Sequence, residues 1–254
     1  MAGLKGNLLK EKMKRGEKAI GGWITSTDPA MARIFSQGGF DCVLIDLEHA
    51  AINQETLQTI LLMFEGADSC PVVRVPWHDL VWVKWALDLG AEGIVFPNVR
   101  TVEEARHVIG LTKYPPQGIR GFFPRVASNF TTRMTEYMDG INDRINVWIQ
   151  IEDIQAVDHL DDIFSVPGID GVFIGPADLS LSMGMFSQWD HPDFTYALQK
   201  ILSAGQRHNI PVGYPVDDTA EKALIRLRQG FRFITAGMDT LMAQRAARNI
   251  LEDI

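Results

Sequence analysis

Apolar positions in this chain fall into two alternating rhythms. Short runs dominated by apolar and small residues occur at 19–25 (AIGGWIT), 41–46 (DCVLID), 71–75 (PVVRV), 93–96 (GIVF), 146–151 (NVWIQI), 170–174 (DGVFI), 210–214 (IPVGY) and 231–235 (FRFIT). Such runs read as strands buried on both faces. Between them, helical patterns cover 29–37, 54–65, 79–89, 101–112, 154–162, 192–208, 218–229 and 239–252. Eight strands alternating with eight helices predict an α/β fold, a closed (β/α)8 barrel formed by one domain over residues 1–254. A doubly wound sheet is the competitor, but its dinucleotide form needs a G-x-G-x-x-G turn after the first strand, and "WITSTDPA" has none. The segment 113–145, with "KYPPQGIRGFFPR" and a short helix expected near 132–141, is long for a connection. It is expected near the mouth of the barrel, either as a lid or as a surface excursion packed by its own aromatics.

The 254 residues are 46% hydrophobic, enough for a large core. No apolar run reaches 18 residues, so no transmembrane helix is expected. The start, "MAGLKGNLLKEKMKRGEKAIGG", lacks the apolar stretch of a secretory signal and reads as a short amphipathic helix. A net charge of -8 argues against a nucleic-acid surface. Cys42 and Cys70 sit in or beside apolar runs and read as buried free thiols, which places the protein in the cytoplasm.

The chemistry gathers where strands end. In a barrel of this type the active site lies at the carboxyl ends of the strands. Trp23 and Thr25 stand there on strand 1, Asp46, Glu48 and His49 on strand 2, Arg74 on strand 3, Gln150 and Glu152 on strand 5, and Asp178 after strand 6. Glu152 and Asp178, from neighbouring strands, suit a hard divalent cation such as Mg²⁺ or Mn²⁺; as alternatives, each could cap the helix that follows. Arg74 lies inside an apolar strand, where its charge must meet either a protein acid or a bound anion. Asp46, three residues before His49, could fix the imidazole tautomer and raise its basicity. Trp23 is either a pocket wall or a core aromatic. None of the nine lysines falls at the carboxyl end of an expected strand, which disfavours Schiff-base chemistry and favours a metal.

The segments "FDCVLIDLEHA", "PVVRVPW", "YPPQGIRG", "VWIQIE" and "GIDGVFIGPADLS", followed by "HP", resemble the HpcH/HpaI aldolase family from about Gly21 to Ala247. These are metal-dependent class II pyruvate aldolases on a phosphoenolpyruvate/pyruvate-type barrel. The resemblance implies that Glu152 and Asp178 bind Mg²⁺, Mn²⁺ or Co²⁺, that Arg74 and Gln150 meet pyruvate, and that His49 and Asp46 form a catalytic dyad. It also implies that the N–H groups of Ala177 and Asp178 hold the pyruvate carboxylate, with Glu48 a partner of metal-bound waters. Hexamers that exchange residues 239–252 are expected. The implied reaction is reversible cleavage of a 4-hydroxy-2-oxo acid to pyruvate and an aldehyde. Oxaloacetate decarboxylation, cleavage of a CoA thioester and a metal-binding barrel without turnover are the alternatives. Leu47, the stretch 212–218 and "GFFPRVASNF" depart from the family's sugar-acid aldolases and leave the aldehyde open.

Overall fold

The computed structural model describes residues 8–216 and 219–252. Residues 1–7 and the last two residues of the 212–218 stretch lie outside it. Eight parallel strands close into a barrel in sequence order: β1 (Ala19–Ile24), β2 (Cys42–Asp46), β3 (Cys70–Arg74), β4 (Gly93–Phe96), β5 (Asn146–Ile151), β6 (Gly171–Ile174), β7 (Val212–Val216) and β8 (Phe233–Met238), with β8 pairing back onto β1. The helices are α1 (Leu8–Lys14), α2 (Pro29–Gln37), α3 (Gln54–Leu62), α4 (Leu80–Asp88), α5 (Val102–Thr112), α6 (Met134–Met138), α7 (Ile141–Arg144), α8 (Ile154–Val157), α9 (Leu160–Phe164), α10 (Pro176–Ser182), α11 (Pro192–Arg207), α12 (Ala220–Gln229) and α13 (Asp239–Glu252). No helix among the described residues is long and apolar enough to cross a membrane.

Side chains alternate across each strand, so one set fills the barrel and the other packs beneath the helices. The inward set includes Trp23, Cys42, Leu44, Cys70, Val72, Val95, Trp148, Phe173 and Phe233, joined by Leu9 and Met13 of α1, which plugs the end where the strands begin. Gly21 makes room for Phe233, and Gly171 for the indole of Trp148. Cys42 and Cys70 are buried free thiols paired in register. Moving up the same rows by steps of two, β2 reaches Asp46, β3 reaches Arg74, and β5 reaches Gln150 and then Glu152. The change from apolar to charged along one inward row defines the floor and the mouth.

Two strands begin later than their apolar runs suggest. Ile210 and Phe231 precede β7 and β8 because their N–H groups close the preceding helices, Ile210 onto Gly205 O (2.8 Å) and Phe231 onto Arg226 O (3.3 Å). Each follows a left-handed residue, Asn209 or Gly230, so the apolar side chain is the hydrophobic seal of a helix stop. The stretch 154–162 is not one helix but α8 followed by α9, and "GPADLS" is helical from Pro176 onward.

The segment 113–145 is not at the mouth. It joins the end of α5 to the start of β5, and such connections lie at the amino-terminal end of the strands. Its Ala127 N–H donates to the carbonyl of Asp88, the last residue of α4 (3.0 Å), and its buried Arg120 donates to the Asp88 carboxylate (2.7 Å) and to Tyr137 Oη (3.0 Å). Arg120 also stacks over Tyr114, with its guanidinium carbon 4.4 Å from the ring centre. The excursion is anchored by Arg120 between two of its own buried aromatics, Tyr114 and Tyr137, while Phe122, Phe123 and Phe130 stay exposed, and α6 and α7 replace the single short helix expected there.

Candidate active site

Asp46 and Arg74 are paired in register on adjacent strands, and their side chains form a two-pronged ion pair. Arg74 Nε donates to Asp46 Oδ1 (3.0 Å) and Nη2 donates to Oδ2 (2.8 Å). Asp46 is only 2% exposed, so the guanidinium is what makes its charge tolerable there. The third edge of the guanidinium faces Glu48, with Nη1 3.0 Å from Oε2. Trp23 lies beneath, 4.8 Å from the guanidinium carbon to the ring centre, and belongs to the barrel core as well as to the pocket floor. Of the two partners expected for Arg74, the structure supplies protein acids.

The expected contact between the His49 ring and Asp46 is not made. Both Asp46 oxygens are taken by Arg74, and Oδ1 also accepts the backbone N–H groups of Glu48 (3.0 Å) and His49 (3.4 Å). That turn directs the exposed His49 side chain away from Asp46, and the carboxylate near the ring is Glu48, with Oε1 3.8 Å from Nε2.

Across the mouth, Glu152 is held at both oxygens. Asn98 N–H donates to Oε1 (2.7 Å), and the Gln150 amide donates to Oε2. Glu152 does not cap α8; Asp153 does, through Gln155 N–H (2.8 Å). Asp178 stands in the first turn of α10, exposed, with Gly175 at the N-cap and no side-chain cap. Ala177 is exposed beside it, and the first-turn N–H groups of α10 have no partner within the helix.

Burial pushes the Glu152 carboxyl up to about 7, with Glu48 and Asp178 adding to the rise against the Gln150 and Asn98 hydrogen bonds. Burial likewise raises Glu48 to about 7, Arg74 opposing and Asp46 and Asp178 adding. The carboxylates of the mouth thus outnumber its guanidinium. On the two residues that donate to Glu152, the buried oxygens Gln150 Oε1 and Asn98 Oδ1 have no hydrogen-bond partner. Surplus negative charge and unpartnered oxygen acceptors are the donor set of a hard divalent cation. Among the described residues no three His, Cys, Asp or Glu side chains converge on one point; Glu152 and Asp178, after the adjacent strands β5 and β6, are the two acids that could hold such an ion.

Sequence reasoning missed three contributors. Asn98, left-handed at φ 50°, turns its N–H onto Glu152; an asparagine just past a strand is a fair signal for that conformation. Asp239 ties the loop after β1 to the start of α13 by accepting Thr25 N–H (3.0 Å) and Ser26 N–H (2.9 Å). Gly175 is the third: a Cβ there would stand 2.7 Å from Glu152 Cβ and 2.9 Å from Gln150 Nε2. Gly175→Ala is expected to displace Glu152, weakening Mn²⁺ binding about tenfold or more by calorimetry while circular dichroism stays that of a folded barrel.

A family model described as HpcH/HpaI aldolase/citrate lyase matches residues 19–246. A relative from Salmonella dublin named 4-hydroxy-2-oxo-heptane-1,7-dioate aldolase is 38% identical over 248 residues, covering 95% of this chain and 92% of that one. Among solved structures, an HpcH/HpaI aldolase/citrate lyase family protein from Burkholderia cenocepacia J2315 matches with a TM-score of 0.91 at 33% identity, over 97% of this chain and 98% of that one. An HpcH/HpaI aldolase from Desulfitobacterium hafniense DCB-2 matches at 0.89 and 30% identity, over 96% and 95%. Since these matches span the whole barrel and its acid-lined mouth, the chain belongs to the HpcH/HpaI aldolase/citrate lyase family.

Proposed function

We propose that this chain is a divalent-cation-dependent aldolase that reversibly cleaves a 4-hydroxy-2-oxo acid to pyruvate and an aldehyde. The observation that carries the reading is the buried Glu152 carboxylate, clasped by Asn98 and Gln150 and facing Asp178 across two adjacent strands. The name of the Salmonella dublin relative supports the substrate class. Glu152 and Asp178 hold the ion, Mg²⁺ or Mn²⁺ by the oxygen character of the site. When bound, such an ion supplies Lewis-acid stabilisation to the enolate oxygen.

The chain's own groups do the rest. The N–H groups of Ala177 and Asp178 receive the carboxylate of the keto acid, and the Gln150 amide lies beside its 2-oxo group. Arg74, fixed by Asp46 and Glu48, contributes a preorganised positive charge near the oxygen on which negative charge develops. His49, exposed at the rim, takes the proton from the 4-hydroxyl as the C3–C4 bond breaks. The electron pair of that bond becomes the enolate, which takes a proton at C3 back from the His49 imidazolium, directly or through water, to give pyruvate and restore the base. The test is pyruvate release from a panel of 4-hydroxy-2-oxo acids with aldehydes of different length and charge. Cleavage of at least one, and loss of that cleavage in His49→Ala, is expected; a panel without any turnover under saturating Mn²⁺ contradicts the reading.

Helix α13 leaves Met242, Ile250 and Leu251 exposed, and only Asp239 of it is buried. An apolar face of that kind suits exchange with a second copy in a homo-oligomer, a hexamer by family resemblance. Leu251→Asp combined with Ile250→Asp is expected to lower the mass measured by light scattering, and an unchanged mass would remove α13 from the interface. The buried free thiols suit a cytoplasmic protein.

A further inference from the structure

Asn98 reaches Glu152 through its backbone, and its own side-chain oxygen is left without a partner. The turn after β4 is tied down on both sides of it. The Pro97 carbonyl accepts from His78 Nε2 (2.6 Å), and Val99 N–H donates to the Gln150 carbonyl (3.2 Å). Between these two ties, the left-handed φ of 50° aims the Asn98 N–H at Glu152 Oε1 (2.7 Å). A glycine would adopt that φ at least as readily, so the backbone contact alone does not call for an asparagine. What the asparagine adds is an amide oxygen, Oδ1, that is buried and accepts nothing. A buried acceptor without a donor is costly, and such an atom points to a donor that binds with the ligand.

We propose that Asn98 Oδ1 accepts a hydrogen bond from a water of the cation held by Glu152 and Asp178, so that one residue positions both the carboxylate and the ion. The inference rests on the cation reading and adds a residue to it. Each carboxylate oxygen has two lone pairs. On Glu152 the Asn98 N–H takes one at Oε1 and the Gln150 amide takes one at Oε2, which leaves one on each for an ion. A hard cation held by only two protein carboxylates keeps several waters, and the ion makes those waters strong donors. The N–H on Glu152 and the free Oδ1 belong to one residue, so Oδ1 lies within a side-chain length of the carboxylate, a gap that a single water bridges. Glu48 and Asp178, the other acids that act on Glu152, are acceptors when ionised and cannot supply the missing donor. Asn98 is thus a positioning residue that touches neither substrate nor ion.

The test is read without turnover, on the full chain stripped with EDTA and then titrated with Mn²⁺. Asn98→Gly keeps the left-handed turn and the N–H and loses only the amide. In the stripped variant the backbone amide at position 98 should stay protected from hydrogen exchange, with Glu152 still clasped. The cation-free Tm should stay close to the native value, because Oδ1 has no partner to lose. Mn²⁺ affinity by calorimetry is expected to fall about tenfold or more. Asn98→Asp, which tolerates the same backbone and keeps the oxygen, should restore it. Mn²⁺ bound as tightly by Asn98→Gly as by the native chain would overturn the proposal. Weakened binding accompanied by lost protection at position 98 would do so too, since Asn98 would then act only through its backbone. An Asn98→Asp variant as weak as Asn98→Gly has the same consequence. These outcomes leave the cation reading standing, whereas a native chain that takes up no Mn²⁺ would overturn that reading and this proposal with it.

Discussion

Glu152→Gln is expected to abolish cation-dependent turnover while making the cation-free protein more stable. The two effects have opposite signs because one charge causes both. In the folded chain the carboxyl titrates near 7, against 4.5 for an ordinary glutamate, and burial is the main cause. A raised carboxyl binds its proton more tightly in the folded state than in the unfolded state. Between pH 4.5 and about 7 the folded state therefore holds more protons, and stability falls as pH rises through that window. Glu48, also raised to about 7, adds to the same slope. Above pH 7 the ionised Glu152 destabilises the cation-free fold, and a neutral amide of the same shape removes that cost, on the order of 3 kcal/mol. The Gln150 amide can turn so that its unpartnered Oε1 accepts from the new amide, and Asn98 N–H keeps its acceptor. The expected loss is chemical: if Glu152 holds the ion as proposed, removing its carboxylate releases it, and turnover should drop about 10³-fold, equivalent to ~4 kcal/mol of transition-state stabilisation. Thermal unfolding at pH 8 with EDTA, compared with Mn²⁺, reads both signs. The native chain should gain Tm on adding Mn²⁺, more at pH 8 than at pH 6, and the variant should not.

Arg74→Ala is expected to have the largest effect on folding. It leaves the Asp46 carboxyl, 2% exposed, beside Glu48 without its guanidinium partner, and removing one partner of a buried pair costs about 3–5 kcal/mol. For a chain of this size that corresponds to a fall in Tm of roughly 10 °C. Turnover should fall as well, but that alone would not separate a folding defect from a chemical one. The double variant Arg74→Ala/Asp46→Asn does. Neutralising Asp46 removes the uncompensated charge, so most of the Tm should return, while turnover should stay low because the positive charge at the enolate is still missing. If turnover returned along with Tm, Arg74 would be a purely structural residue.

Much of the barrel was legible in the sequence because a strand buried on both faces leaves a run such as "VLI" or "GIVF" that no helix period explains. The acids of the mouth were legible for a related reason: Asp46 and Glu152 end apolar runs on the inward parity, where a charge without a task would be costly. Side-chain choices were not legible. Nothing in "DLEH" says that Arg74 on the next strand takes both oxygens of Asp46, because that follows from the register of β2 against β3. The clasp on Glu152 was hidden because it uses a backbone N–H and a missing Cβ, at Asn98 and Gly175. The place of 113–145 was legible in principle. A connection from a helix to the next strand belongs at the amino-terminal end of a parallel barrel, and its length and aromatics outweighed that topological rule.

The central claim, a cation held by Glu152 and Asp178 that enables carbon–carbon cleavage, is tested most directly by one titration. Protein stripped with EDTA is supplied with Mn²⁺ while pyruvate release from a cleavable 4-hydroxy-2-oxo acid is followed. The stripped chain should be inactive, with activity returning in proportion to one bound ion per chain, and Asp178→Asn should not recover under the same conditions. Full activity in the stripped chain, or full recovery of Asp178→Asn, would contradict it.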